Sequence, residues 1–283
     1  MYKIANDKML EFFQSSQLNQ SNENGEVRNF ANCFDIVYAG TEHSAYKKVE
    51  FYTKEKDKPD LEYIKFGDRF DVLSVRINTM CDVFIEAACK KILEICDLYE
   101  ATEICMPTID LSKIDIILKY FDIPDIYEVE WGCYALLSND KLPPLNLPAN
   151  VAISLATSEQ IEKIKSLDND EWEILPDRCK KKIYNISGDR LLILLHRNDI
   201  LAGYIEAICT YKNYYNICNV FVHEDFRGNN FGSLMTIYYA NYCLDNGFIP
   251  HYGDAMSKYS ENVAIKSGFE ETARYHFFGI KKK

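Results

Sequence analysis

The chain has 283 residues, of which 47% are hydrophobic and 27% charged, and its formal net charge is −11. This length is enough for two domains of ordinary size. The first eight residues lack the apolar core of a signal peptide, and no apolar run reaches the roughly 18 residues that a bilayer requires. We therefore expect a cytoplasmic protein with no membrane partner. An acidic chain without a basic stripe also argues against nucleic acid as a partner.

The excess of negative charge lies in the first half of the chain. Residues 1–145 contain 26 acidic and 16 basic side chains, whereas residues 146–283 contain 17 and 16. A well-solvated surface is the simpler interpretation, and attraction for a cationic amine or a basic partner is the other. The composition leaves a homo-oligomer open.

Ten cysteines are scattered through apolar segments of the chain. None of them forms a Cys-x-x-Cys pair, and no histidine stands at metal-ligand spacing, so we expect no metal site. The cysteines are expected to be reduced and mostly buried, as small apolar side chains.

The first half contains a strand–helix–strand pattern. A strand is predicted at 75–78, a helix over 82–98 with its apolar residues on one face, and a second strand at 103–107. Residues 119–123 then lead into a further strand at 127–137. The turn from Asn78 to Asp82 has neither glycine nor arginine.

A domain boundary is predicted in the stretch from Ser138 to Pro148. Three prolines in this short span forbid a regular helix or a central strand. The chain is thus predicted to divide into domains 1–142 and 148–283.

After the boundary the chain alternates between short strands and helices. The pattern predicts strands at 151–155, 190–196, 201–211, 215–223 and 248–253, followed by two final strands. Helices are predicted over 158–167, 171–184, 232–244 and 260–266. Turns are predicted at 187–189 and 197–199, and Gly247 and Gly268 are expected to end the last two helices.

The most informative stretch runs from Val220 to Gly232. Its first residues favour a strand, and Arg227 to Asn230 supply residue types that tolerate a positive φ. Gly232 then lets a helix begin close to a ligand. Successive backbone N–H groups in such a turn point at one anion, although an ordinary strand–helix turn is the alternative interpretation.

This stretch resembles the motif of the GNAT acyltransferases, a superfamily of N-acetyltransferases. In that family a strand, an (Arg/Gln)-x-x-Gly-x-(Gly/Ala) turn and a helix hold the pyrophosphate of acetyl-CoA. Asn230 stands where the family has its middle glycine, and asparagine is the other residue that best tolerates a left-handed backbone. A second landmark is Gly268-Phe269 after the last short helix.

The resemblance spans residues 148–283 and implies the fold of both halves. We expect an α/β (α+β) protein of two GNAT-like domains, each with a mixed, mostly antiparallel central sheet flanked by helices. The first half resembles a degenerate repeat that lacks the phosphate turn. Acetyl-CoA is therefore expected in the second half alone.

The resemblance also implies which residues hold acetyl-CoA. The backbone amides from Gly228 to Gly232 would bind the pyrophosphate, and Arg227 would add positive charge. The backbone of Phe221 and Val222 would pair with the pantetheine arm, where two parallel strands separate. The expected cofactor-binding residues are Phe221, Val222, Arg227, Gly228, Asn229, Asn230, Phe231 and Gly232.

The catalytic residues are less closely matched to the family. Ala264 stands where many relatives have the tyrosine that protonates the leaving thiolate, and Tyr259 and Tyr252 are candidates to replace it, with packing or surface exposure as the alternative. Glu206 is the first candidate for the base, because a carboxylate in an otherwise apolar strand is typical of a substrate cleft. An outward-facing polar residue is its alternative interpretation. His223 is the second candidate for the base.

These expectations predict transfer of an acetyl group from acetyl-CoA to an amine of a small molecule, by direct attack on the thioester. A non-catalytic acyl-CoA sensor or scaffold is the alternative, because the usual tyrosine is absent. An aminoacyl or other acyl donor also stays open.

Overall fold

The structure is a computed structural model, and it describes residues 1–18, 48–60, 62–69, 72–95, 101–107, 112–123, 129–136, 138–165, 190–211 and 214–283. The chain divides into two compact units. The first unit comprises Met1–Cys133 together with Thr272–Lys283, and the second comprises Tyr134–Glu271. The predicted domains 1–142 and 148–283 stay predictions. The predicted helix over 171–184 and the turn at 187–189 lie outside the described residues.

The secondary structure alternates along the chain much as the pattern predicts. The strands are β1 (Tyr2–Ile4), β2 (Lys48–Thr53), β3 (Tyr63–Arg69), β4 (Val72–Asn78), β5 (Ala101–Pro107), β6 (Phe121–Asp122), β7 (Val129–Ala135), β8 (Val151–Leu155), β9 (Arg190–Arg197), β10 (Ile200–Tyr211), β11 (Tyr214–Val222), β12 (Ile249–Ala255) and β13 (Glu270–Lys282). The helices are α1 (Asn6–Leu18), α2 (Asp82–Ile95), α3 (Ile114–Leu118), α4 (Ser158–Lys165), α5 (Phe231–Asp245) and α6 (Lys258–Lys266). Among the described residues, no helix is both long and apolar enough to cross a bilayer.

The first unit is built on the sheet β1-β2-β3-β4-β5-β13. Neighbouring strands are antiparallel except for β4 and β5, which are parallel and are joined through α2. Helix α2 buries Phe84, Ile85, Ala88, Cys89 and Ile92, a spacing that lies on one face of a helix. The predicted strand–helix–strand pattern of this half is confirmed, and residues 96–98 of its helix lie outside the described part.

The second unit repeats this arrangement with the strand order β12-β11-β10-β9-β8. Strands β11 and β12 are its parallel pair and are joined through α5. The other pairs are antiparallel. The hairpin between β9 and β10 turns at Asn198 and Asp199, which both have positive φ as a tight two-residue turn requires.

Helix α5 forms the centre of the core of the second unit. Unlike a surface helix it is buried on almost every side, through residues that include Met235, Tyr239, Ala240 and Cys243. These side chains pack on one face of the sheet, against Ile205, Ala207 and others. The start of α5 is therefore held rigidly at the end of β11.

The predicted fold class, an α+β protein with largely antiparallel sheets, is confirmed. The prediction of two final strands is wrong, because Glu270–Lys282 forms one continuous strand. The stretch contains no proline, and its single glycine, Gly279, lies within the strand, so nothing in it turns the chain.

Gly268 allows a direct test of the end of α6. Its φ is 86°, and a Cβ added there would lie 2.3 Å from the carbonyl oxygen of Lys141. We expect Gly268→Ala to lower the free energy of unfolding by about 2–3 kcal/mol, since backbone strain and a backbone clash add. Gly247→Ala is the matched control, because Gly247 also has a positive φ, of 71°, but has open space around it. Urea unfolding measures both variants, and equal losses would show that the clash contributes nothing.

Candidate functional site

The turn between β11 and α5 has the backbone that an anion-binding turn requires. Gly228 and Asn230 adopt the left-handed region, with φ of 81° and 63°. The Nε of Arg227 donates to the carbonyl oxygen of Val222 at 3.1 Å, and the Nδ2 of Asn229 donates to that of Phe226 at 3.0 Å. These two hydrogen bonds join side chains of the turn to nearby backbone carbonyl oxygens and so stabilise its conformation. Asn230 thus takes the conformation that the family obtains from glycine.

The N-terminus of α5 carries neither a side-chain cap nor a negative charge. Asn230 is its N-cap residue and makes no side-chain capping bond, and the first turn contains no acidic residue. Each of the other described α-helices has an acidic residue in its first turn: Asp7, Asp82, Asp115, Glu159 and Glu261. Because the first N–H groups of a helix have no acceptor within it, this end of α5 offers donors and a positive dipole to an incoming anion.

Gly232 brings the start of α5 against α6. A Cβ at this position would lie 3.1 Å from Cγ2 of Val263 on α6. A larger residue would push the two helices apart and displace the turn. The last glycine of the motif therefore serves helix packing.

Strands β11 and β12 separate next to this turn. They pair only at Tyr214–Ile249, Tyr215–Pro250 and Asn216–His251. Beyond Asn216 the described pairing of β11 is with β10 alone. The edge of β11 that carries Phe221 and Val222 thus faces an opening, as the resemblance implies for a pantetheine site.

A partly buried polar cluster lies where the two strands separate. The Oδ1 of Asn216 accepts from the N–H of Gly253 at 2.8 Å and lies 3.0 Å from Nδ1 of His251. The hydroxyl of Tyr239 donates to the carbonyl oxygen of Tyr215 at 2.6 Å. The cluster was missed at the level of sequence, although a lone glycine inside a strand, here Gly253, often marks close approach of another group.

Glu206 is buried on the opposite face of the sheet from α5. It is 1% exposed, and its Oε1 accepts from Nη1 of Arg190 at 2.5 Å. Its Oε2 makes no hydrogen bond to any described residue. It stands opposite Asn219 of β11, which donates from Nδ2 to the hydroxyl of Tyr204 at 2.8 Å. The outward-facing interpretation of Glu206 is therefore wrong, and its role as the base stays a prediction.

The other catalytic candidates lie in different surroundings. His223 stands at the end of β11, where its Nδ1 accepts from the N–H of Asp225 at 3.4 Å and so caps the short 3₁₀ turn Glu224–Phe226. Tyr259 lies on α6 and is 86% exposed. Tyr252 is buried, bonds Ser260 through its hydroxyl at 2.8 Å, and has its pKa raised by burial. No contact in the described part of the chain joins Tyr259 to Glu206 or His223. The catalytic roles of Tyr259, Tyr252 and His223 stay predictions.

The corresponding turn of the first unit is occupied by acidic side chains. The Oε1 of Glu62 lies 3.4 Å from the hydroxyl of Thr79 and 3.5 Å from the N–H of Met80, so both donors face a carboxylate. Asp82 at the start of α2 pairs with Lys113 at 2.7 Å. A pyrophosphate at this turn would have to displace two carboxylates that are already paired with lysines, Glu62 with Lys54 and Asp82 with Lys113.

Comparison with known proteins agrees with this geometry. Residues 192–278 match the family model of the GNAT acetyltransferases. Over this range the chain is similar to the GNAT acetyltransferases. The matched range contains the phosphate turn, the separating strands and the Gly268-Phe269 landmark, so the predicted resemblance is confirmed.

Solved structures resemble this chain over 78% to 98% of its length. A GCN5-related N-acetyltransferase from Sphaerobacter thermophilus has a TM-score of 0.57 at 13% identity, covering 98% of this chain and 93% of that one. A tandem GNAT protein from the clavulanic acid biosynthesis pathway has a TM-score of 0.56 at 12% identity, covering 97% and 94%. A GCN5-related N-acetyltransferase from Kribbella flavida has a TM-score of 0.55 at 11% identity, covering 78% and 87%. At sequence identities of 11% to 13%, these structures show a similar fold and nothing about activity. No curated protein matches the chain.

The buried His251 of the second unit makes stability depend on pH. Burial lowers its pKa from 6.5 to about 4, because the imidazolium loses its hydration. Between these values the unfolded chain binds a proton that the folded protein does not, so stability falls as the pH drops from 6.5 towards 4, by about 3 kcal/mol in all. Tyr239 and Cys243 have pKa values raised by burial and stay neutral in this window.

Urea unfolding of the wild type and of His251→Gln at pH 7, 5.5 and 4.5 measures this dependence. The variant should lose less stability over this range, because glutamine does not titrate. Although burial opposes it, the pKa of Glu50 is lowered to about 2 by hydrogen bonds from Lys3, Lys48 and Tyr52; this group titrates alike in both proteins and therefore cancels from the comparison. The same pH dependence in both proteins would contradict the assignment.

Proposed function

We propose that the chain is an acetyl-CoA-dependent N-acetyltransferase that acts on an amine of a small molecule. The observation that carries this proposal is the N-terminus of α5. It is preceded by left-handed Gly228 and Asn230, lacks a cap and an acidic residue, and stands beside two parallel strands that separate after Asn216. Family match and fold support the reaction class. The expected cytoplasmic location stays a prediction.

The donor residues have separate tasks in this proposal. Amides from Gly228 to Gly232 hold the pyrophosphate, and Arg227 adds a positive charge at the mouth of the turn. The open edge of β11 at Phe221 and Val222 pairs with the pantetheine arm. Bound acetyl-CoA would supply the thioester, and an N–H of β11 would polarise its carbonyl. No metal is proposed in this chemistry.

The acceptor needs a deprotonated amine. Glu206 is the proposed base, because one of its oxygens is engaged by Arg190 and the other makes no described bond. His223 is the second candidate. In direct transfer the amine nitrogen forms the bond to the acetyl carbon, the carbon–sulfur bond breaks, CoA leaves as a thiolate, and the base takes the ammonium proton.

A non-catalytic acyl-CoA sensor or scaffold is the alternative function. Ala264, where many GNAT proteins have a tyrosine, is fully buried and offers no hydroxyl group. Tyr259, its proposed substitute, is largely exposed. The leaving thiolate would then depart without an acid, or no transfer would occur.

Two measurements separate these functions. Calorimetric titration with acetyl-CoA tests binding, and release of CoA thiol in the presence of a panel of small amines tests transfer. Binding with turnover supports the transferase, and tight binding without turnover on any amine supports the sensor. Absence of binding at millimolar acetyl-CoA would contradict both. Replacement of acetyl-CoA by other acyl-CoA donors tests which acyl group is carried.

Arg227→Glu is expected to weaken acetyl-CoA binding at least thirtyfold. The change places a negative charge at the pyrophosphate turn and removes the bond to Val222. Lys281→Glu is the control, since it makes the same change of charge on an exposed residue of the first unit. Calorimetry at fixed ionic strength measures both affinities, and equal losses would mean that net charge, not the turn, governs binding.

A further inference from the structure

The main-chain pairing of β11 with β12 ends at Asn216, whose side chain takes the next hydrogen bond. After the Asn216–His251 pair, a regular parallel ladder would continue with main-chain bonds between the two strands. The N–H of Gly253 instead donates to Oδ1 of Asn216 at 2.8 Å. The amide of Asn216 thus takes the bond that a main-chain carbonyl of β11 would otherwise accept.

The bond pattern also fixes the groups around this oxygen. The N–H of Gly253 is only a donor, so the amide atom that faces it must be the oxygen. Nδ1 of His251 lies 3.0 Å from that same oxygen and must therefore carry the proton. His251 is 3% exposed, and its backbone N–H donates to the hydroxyl of Tyr239 at 3.2 Å. Two residues of β12, which is itself bonded to α5 through Tyr239, therefore hold the side chain of Asn216 in one orientation.

Gly253 is required by this arrangement. A Cβ at Gly253 would lie 2.9 Å from Oδ1 and 3.2 Å from Nδ2 of Asn216. On its other side β11 has an extra residue, because Glu206 stands opposite Asn219 while Ala207 stands opposite Ile217. The bulge at Cys218 bends β11 immediately after the amide ends the ladder.

We propose that Asn216 is a positioning residue that separates β11 from β12 and sets the width of the opening for the acyl-pantetheine arm. This inference rests on the proposed function. Without the amide, the N–H of Gly253 would pair with the main chain of β11, and the ladder would extend into the space that the arm needs. His251 and Gly253 act through Asn216, the first by a bond and the second by leaving room.

Asn216→Val tests the proposal, since valine favours a strand and offers no acceptor. Its affinity for acetyl-CoA should fall at least tenfold. Its affinity for adenosine 3′-phosphate 5′-diphosphate, the part of CoA without pantetheine, should stay within twofold, because the phosphate turn is untouched. Asn216→Asp keeps an oxygen acceptor and should restore acetyl-CoA binding to within threefold. Gly253→Ala should resemble Asn216→Val, and the double variant should be no worse than either.

Amide hydrogen exchange gives a readout that does not depend on a ligand. In Asn216→Val the amides between Ile217 and Val220 that face β12 should exchange at least tenfold more slowly, because the extended ladder engages them, whereas those that face β10 should be unchanged. Wild-type affinity for acetyl-CoA in this variant would overturn the proposal, as would an equal loss for both ligands, which would indicate general damage. If the wild type binds neither ligand, the proposed function fails, and unchanged exchange in the variant would then overturn the role of Asn216 as well.

Discussion

Asn230→Asp should remove acetyl-CoA binding and at the same time stabilise the unliganded protein. Aspartate has the shape of asparagine and tolerates the left-handed φ of 63° found at this N-cap. Its charge would interact favourably with the N-terminus of α5, by about 0.3–1 kcal/mol. The same charge would lie beside the bound pyrophosphate, where two like charges about 4 Å apart repel by about 4 kcal/mol near a protein surface.

Replacement of the amide nitrogen of Asn230 by oxygen is therefore expected to change stability and acetyl-CoA affinity in opposite directions. The apparent Tm without ligand should rise by up to about 3 °C, and the affinity for acetyl-CoA should fall at least a hundredfold. Differential scanning fluorimetry and calorimetry measure these two quantities on the same sample. General damage to the fold would lower both the Tm and the affinity. A higher Tm together with a lower affinity would therefore identify the turn as the anion site.

Asn230→Gly is the matched control for this experiment. Glycine keeps the left-handed backbone without adding charge, so acetyl-CoA affinity should stay within threefold of the wild type. If Asn230→Asp binds acetyl-CoA as tightly as the glycine variant, the pyrophosphate does not lie at the start of α5, and the central observation behind the proposed function is lost.

Local features of the fold could be predicted from the sequence because residue type governs them directly. Gly228, Asn230, Gly247 and Gly268 all have positive φ, and each was expected at a turn or helix end. The order of strands and helices followed from hydrophobic periodicity, which depends on neighbours only a few positions apart. These features include the phosphate turn, so the best-matched part of the candidate site was also the most predictable.

Long-range pairing could not be predicted in the same way. Asn216 and Gly253 are 37 positions apart, and only the register of two parallel strands brings them together. Glu206 posed a related difficulty, because residues 201–207 of β10 are all buried and show no alternation that would identify an outer face. Similarly, Tyr275–Ile280 pair with β5 in the first unit, which no local pattern indicates.

Glu206→Leu should lower the free energy of unfolding by about 4 kcal/mol. The carboxylate is 1% exposed and bonds Arg190, whose side chain is 17% exposed, so the change removes the buried partner of a partly buried cation. Arg190→Met together with Glu206→Leu should recover most of this loss, since removal of both charges also removes their desolvation cost. Urea unfolding of the single and double variants measures the coupling between the two residues.

Glu206→Gln separates the structural role of this residue from a catalytic one. Glutamine keeps an oxygen that can accept from Arg190 but cannot take a proton from an amine, so acetyl-CoA affinity should persist while turnover falls at least a hundredfold. Turnover equal to the wild type would make Glu206 a structural residue and transfer the role of base to His223. Because the stable double variant also lacks the carboxylate, it should bind acetyl-CoA and remain inactive, which assigns the loss of turnover to the missing base and not to a damaged fold.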